Sequence, residues 1–386
     1  MNRPFRDALM PIGLLILFTV QASAAEPTLR HISVDDGKST DAVRVTNADL
    51  AHTTQLLAAA GGTAEVQSQV LLKQLDRVIG SHKSQRSDLV KLNVYVRDAS
   101  VSAAFLLKLK EWTDDKLPAV CWVQSRLPHP SSLVGLDAVF VARDESDRVS
   151  ELDPEPAESV VLSRGDVVYV SGQAEAGDLA EATRLTLKGL ERTLKHVGLE
   201  KSSVAQVKCF LQPMKQVSVV NTEISRFFTD SPIPPVSHVE WISGSRPIEI
   251  EVIAWAPETK SDSSVSYITP PWMKSSAVFS RVARIHGNDR LYVSGVYSAK
   301  PGDGKQQVSD IFTKLQSILK AGDSDLSHLA KATYYVSEDD ASNQLNRLRP
   351  MYYDPKRPPA ASKAKVFGVG MQDRGITLDM IAAPIK

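Results

Sequence analysis

The chain has 386 residues, with 45 Lys+Arg against 45 Asp+Glu, 42% hydrophobic residues and 23% charged residues. That length exceeds one ordinary domain, and the composition is that of a globular protein. A net charge of zero argues against a protein that tracks nucleic-acid phosphates, which requires a basic footprint. Two cysteines exclude a disulfide scaffold and a cysteine-rich metal site.

Residues 1–24 read as a secretory signal. Arg3 and Arg6 form a positive start, Leu9 to Val20 a short apolar run, and Ala22-Ser23-Ala24 a cleavage site. The apolar run, broken by Pro11 and Gly13, is shorter than a bilayer span needs. The expectation is an exported, soluble protein beginning near Ala25, periplasmic or extracellular.

The remainder carries one pattern three times. In residues 25–143, a strand-like segment from Leu50 to Gln55 precedes a helical stripe of Leu71, Leu75 and Val78. A strand from Leu89 to Val96 follows, then a second helix marked by Phe105, Leu109 and Trp112, then Pro118 and a closing strand around Asp137. Residues 144–158 are acidic and proline-containing, and read as a linker. Residues 159–256 repeat the order, with strands at Val167 to Gln173, Val204 to Leu211 and Ile250 to Ile253, and helices marked by Leu187, Leu190 and Leu194 and by Val220, Ile224 and Phe228. Residues 257–271, rich in Ser and Pro, read as a second linker. Residues 272–386 supply the third copy, with strands at Arg290 to Val296, Leu329 to Val336 and Leu378 to Ile381. After each first helix comes Gly80, Gly198 or Gly322, and glycine commonly ends a helix in the left-handed conformation.

Each copy therefore reads β-β-α-β-α-β-β, in the α+β class. Helices on one face of a sheet leave the other face bare, and that face must be buried. Three copies in one chain predict an intramolecular pseudo-trimer, its bare faces packed about a pseudo-threefold axis and the molecule otherwise monomeric. Cys121 and Cys209 read as buried, unpaired thiols. The eight histidines show no zinc spacing, and there is no G-x-S-x-G elbow or phosphate loop, so neither metal nor cofactor is expected.

The arrangement resembles the RidA/YjgF family (reactive intermediate deaminase A, also endoribonuclease L-PSP), whose fold is called chorismate-mutase-like. The resemblance rests on Tyr169-Val170-Ser171-Gly172-Gln173, on Asn221 with Phe227-Phe228, and on Pro234-Pro235-Val236 followed by Ile248 to Ala254. The third copy matches through Tyr292-Val293-Ser294-Gly295, and the first by order of elements. Family members are homotrimers with ligand clefts between subunits; catalytic members hydrolyse 2-imino and 2-enamino acids to 2-oxo acids and ammonia. The resemblance implies small-molecule clefts between copies, with Glu249 as the catalytic acid/base and Ser171, Asn221 and Ser294 as substrate contacts. The family's substrate arginine aligns with Val120, Val236 and Ala361, so the expected guanidinium is missing. Arg246 is a candidate relocated cation, with Arg126 and Arg374 placed comparably. Alternatives are a non-catalytic metabolite-binding or scaffold protein, with Glu249 a mere strand carboxylate beside Glu251, and a ribonuclease, which the neutral charge disfavours.

Overall fold

A computed structural model of the chain describes residues 26–35, 39–58, 61–144, 156–242 and 245–386. The expected signal, and all but the ends of the 144–158 segment, lie outside these residues.

In chain order the elements are β1 (Thr28–Ile32), β2 (Ala42–Thr46), β3 (Leu50–Thr53), β4 (Leu56–Leu57), α1 (Ala64–Ser81), β5 (Leu89–Val96), α2 (Ala99–Trp112), β6 (Ala119–Gln124) and β7 (Val134–Val141). The second unit comprises β8 (Ser159–Leu162), β9 (Asp166–Gln173), α3 (Leu179–His196), β10 (Val204–Leu211), α4 (Val217–Phe227), β11 (Val236–Glu240) and β12 (Ile248–Ala256). After β13 (Val265–Ile268) come β14 (Val282–Ile285), β15 (Asp289–Val293), α5 (Gly304–Ala321), β16 (Leu329–Val336), α6 (Asp339–Leu348), β17 (Ala360–Lys365) and β18 (Ile376–Ala382). The three central strands β5, β10 and β16 coincide with the segments expected from sequence. Residues 257–271 are more than a linker, because β13 adds a strand to the edge of a sheet beside β14.

Each unit places its two helices over one sheet face. The first helix of each is capped by a side chain that accepts a backbone N–H: Thr63 from Val66, Asp178 from Glu181 and Asp303 from Gln306. Leu187, Leu190 and Leu194 of α3, and Ile311, Leu315 and Leu319 of α5, are buried against their sheets, each worth about 1.5–3 kcal/mol relative to exposure. The glycine expectation holds in the second unit, where Gly198 has φ +76°; in the others the left-handed residues are Lys83 and Asp323.

The topology departs from three self-contained sheets. β8 opens the second unit but pairs with β3 of the first. β14 opens the third unit but pairs with β9 of the second. β2, the first unit's opening strand, pairs with β15 of the third, and β1 extends that sheet. Every opening strand is thus lent to the preceding unit, and the loan closes into a ring. Each lent strand is joined to the next strand of its own unit by a short connection, which local sequence would read as a hairpin. The ring arises because that connection turns the corner between two sheets. The bare faces meet in a shared core: Val45, Leu50, Val139, Tyr169, Ile253, Tyr292 and Ile381 of all three sheets belong to one buried cluster. The pseudo-trimer expected from sequence is the observed arrangement. Cys121 and Cys209 are free and buried.

Candidate functional site

The seams between units can be compared position by position. Strand register makes Val120, Val236 and Ala361 equivalent, likewise Cys121, Ser237 and Ser362, and likewise Gly135, Glu249 and Thr377. Register also aligns Thr54 with Ser171 and Ser294.

Two seams are bridged by backbone hydrogen bonds, although a groove of about 300 Å³ lies between Leu127 and His129 of the first unit and Met214 and Lys215 of the second. Between units one and two, the Gln55 amide donates to the Val236 carbonyl at 3.0 Å, and Thr54 Oγ1 accepts from the Val236 amide at 3.3 Å. The Gln55 side chain further pairs with the backbone of His238. Leu57 lies over Gly135, where the second unit has its acid. Between units three and one, Gly295 N–H donates to the Val120 carbonyl at 2.9 Å, and the Val120 amide donates to Ser294 Oγ at 3.1 Å. Ser294 is thus spent on its own seam, since its hydroxyl also donates to Thr40. Thr377 there donates to Val296.

The seam between units two and three is open. Gly172 N–H reaches the Ser362 hydroxyl at 3.2 Å instead of a backbone carbonyl, and the buried Ser171 Oγ has no partner. The result is a cleft of about 400 Å³. Glu249 lines it and hydrogen-bonds with Ser362; burial pushes its carboxyl up to about 7, with the charge of Glu251 adding to the effect. Glu249 and Glu251 are two apart on β12 and share a face. Glu251 continues inward to an ion pair with Lys331 at 2.8 Å, whereas Glu249 reaches the cleft.

The cleft is lined by cations that the sequence pattern does not single out. Arg281, at the start of β14, and Arg349 and Lys363, from the end of α6 and from β17, all line this cleft. Each is half-buried. Ser171 N–H donates to the Arg281 carbonyl at 3.0 Å, which fixes Arg281 beside the site. Arg281 is also held by the Lys274 carbonyl and lies over the Phe279 ring. Among the described residues, no carboxylate lies within 4.0 Å of these three cations. Burial lowers the pKa of Arg281, and burial together with Arg349 lowers that of Lys363. Unpaired, desolvated cations are costly without an anion. Their lack of nearby acids in space is not readable from sequence spacing.

Other expected site residues lie elsewhere. Asn221 lines a separate groove with Ser218 and Val236, so it is not brought to Glu249. Arg246 is exposed and outside the cleft. Arg126 lies over Phe367, and Arg374 is consumed by the backbone carbonyls of Ser298 and Ala299. Among the described residues no group of acids, histidines or cysteines is placed to hold a metal.

A second polar centre lies on the pseudo-threefold axis. Lys91 pairs with Asp379 at 2.8 Å, and Asp137 accepts from Asn93, Tyr95 and Ser237. Lys208 completes the ring; although burial opposes its charge, Asp137, Asp379 and Glu251 hold its pKa above the usual value. His52 and Gln206 line the same cavity of about 30 Å³. Burial pushes His52 down to about 4, so it is neutral.

Residues 151–256 match the model of the family described as endoribonuclease L-PSP, also known as RidA/YjgF. The match covers the second unit and not the first or third. The matched unit is the one that contributes Gly172 and Glu249 to the open cleft. Solved structures with likeness to the chain include the YjgF gene product of Escherichia coli, at 25% identity, covering 24% of this chain and 81% of that one, with a TM-score of 0.23. A YjgF-family protein of Neisseria meningitidis is 16% identical over 32% of this chain and 98% of its own, with a TM-score of 0.24. A Rid-family protein of Yersinia pestis is 20% identical over 25% of this chain and 84% of its own, with a TM-score of 0.23. No curated protein matches the chain.

Proposed function

We propose that the cleft between the second and third units hydrolyses a small 2-imino acid to the 2-oxo acid and ammonia, and that the other two seams are structural. The observation that carries this reading is Glu249, with its carboxyl near neutrality, sharing one cleft with Arg281, which has no carboxylate partner among the described residues. Arg281 holds the substrate carboxylate through its planar fork. Glu249 takes a proton from water as the oxygen attacks the imine carbon, and the C=N electron pair moves to nitrogen. Glu249 returns that proton to nitrogen, giving a carbinolamine; it then takes the hydroxyl proton and passes it to the amine as the C–N bond breaks and C=O forms, so that ammonia leaves. Ser171 Oγ is buried without a hydrogen-bond partner, but Ser171 is not among the residues that line the cleft, so the reading gives it no substrate contact.

Purified protein given freshly generated 2-iminopropanoate tests the reading. Imine loss should exceed the buffer rate and fall at least a hundredfold in Glu249→Gln. A rate equal to buffer at high protein concentration leaves a binding protein. The reading includes export, supported by the charged, apolar and small-residue order of residues 1–24. N-terminal sequencing of protein from the periplasm or medium should begin near Ala25. Among the described residues no helix is long and apolar enough to cross a membrane.

A further inference from the structure

The cleft holds more positive charge than one carboxylate needs. Arg281 stands beside Ser171 at the wall that carries Glu249. Arg349 and Lys363 form a separate pair on the third unit. Lys363 Nζ is steadied by two neutral groups, Ser342 Oγ at 3.2 Å and Asn346 Oδ1 at 3.1 Å. Arg349 lies over the ring of Tyr334, and its buried Nε has no hydrogen-bond partner. Both cations line the cleft, and burial together with the charge of Arg349 lowers the pKa of the Lys363 ammonium; among the described residues neither forms an ion pair with a carboxylate. Of the acids lining the cleft, Glu175 is exposed and Glu249 is in part protonated at neutral pH. Two half-buried cations held together cost energy that a bound anion between them removes.

We infer that the substrate is dianionic: a 2-imino dicarboxylate whose first carboxylate meets Arg281 and whose second lies between Arg349 and Lys363. This inference rests on the imine-hydrolase reading for its reaction, but the binding it requires does not. The cleft, at about 400 Å³, has room for a four- or five-carbon diacid. A diacid offers one carboxylate to each cationic group, whereas a monoacid leaves one of them without an anion.

The test separates binding from turnover. Calorimetry on the full chain compares 2-oxopentanedioate with 2-oxobutanoate, and kinetics compares 2-iminopentanedioate with 2-iminopropanoate. The dicarboxylate should bind at least tenfold more tightly, and Lys363→Gln should reduce that preference more than fivefold. Arg349→Lys, which keeps the charge but loses the fork, should reduce it less. Equal affinities in the unaltered protein, or a Lys363→Gln variant that keeps the preference, would overturn the inference. Preferential dicarboxylate binding without hydrolysis of either imine supports the dianionic site and removes the hydrolase reading. Imine hydrolysis without any preference does the reverse.

Discussion

The Gly172 amide donates to the Ser362 hydroxyl at 3.2 Å across the seam between two units, leaving that hydroxyl's own proton for Glu249. The equivalent amides of Gln55 and Gly295 instead bond backbone carbonyls and close their seams. Ser362 lowers the Glu249 pKa against the larger effect of burial. Ser362→Ala should therefore move the base limb of the kcat/KM profile to higher pH. A Cβ at Gly172 would lie 2.0 Å from Glu249 Oε1. Gly172→Ala should displace the carboxylate, costing about 1–3 kcal/mol by overpacking and most of the activity. Denaturant melts and imine assays on the two variants check both outcomes.

The raised pKa of Glu249 also has a stability signature. Its carboxyl titrates at about 7 in the folded protein against an ordinary 4.5. Between those values the folded state binds more protons than the unfolded one. Stability therefore falls as pH rises through that window and levels off above it. Glu249→Gln should remove this slope and leave the protein more stable than the parent at pH 8. The kcat/KM of the parent should rise with pH to a plateau above about 7, because the free carboxylate is the base. Urea titrations at several pH values and a pH–rate profile measure the two effects independently.

The ring of lent strands predicts an effect at a distance in sequence. β1 and β2 belong to the start of the chain but cover the edge of β15 in the third unit. Deleting residues 26–46 should loosen the third unit, exposing the β15 edge and apolar surface around Tyr292. Hydrogen exchange should quicken in β15 and β18 while α3 and β10 stay protected. Unchanged protection in β15 would show that the strand is dispensable.

Local pattern carried much of this fold. The alternating apolar runs at Leu89, Val204 and Leu329, and the stripes of the first helices, specify elements through contacts close in sequence. The lent strands were not legible, because a hairpin and a corner between sheets use the same short turn and the same alternating residues. Glu249 and Ser171 could be selected by their place in a strand. Arg281, Arg349 and Lys363 could not, since what distinguishes them is that they meet in one cleft and, among the described residues, form no ion pair with a carboxylate. Ser294 matched the same motif as Ser171, but its neighbour Val120 offers an amide that occupies the hydroxyl.

An ion pair near the pseudo-threefold axis joins two units. Lys91 and Asp379 belong to different units and are both nearly inaccessible, at 4% and 6% side-chain exposure. Burial alone would raise the Asp379 pKa, but Lys91, Lys331 and Lys208 outweigh it and hold the carboxyl below its ordinary 3.8. Its contribution to stability is therefore complete above that value and is lost as pH falls toward the lowered folded pKa. Lys91→Met should leave Asp379 with a reduced positive field, destabilising the fold by about 3–5 kcal/mol, as for removing one partner of a buried pair. Because the pair joins the first unit to the third, unfolding should remain cooperative across units while its midpoint drops. Adding Asp379→Leu to Lys91→Met should recover much of the loss, since an apolar pair of similar volume avoids the cost of burying charge. Denaturant unfolding of the single and double variants measures the coupling. A double variant no more stable than Lys91→Met would show that Asp379 is held mainly by Lys208 and Lys331 rather than by Lys91.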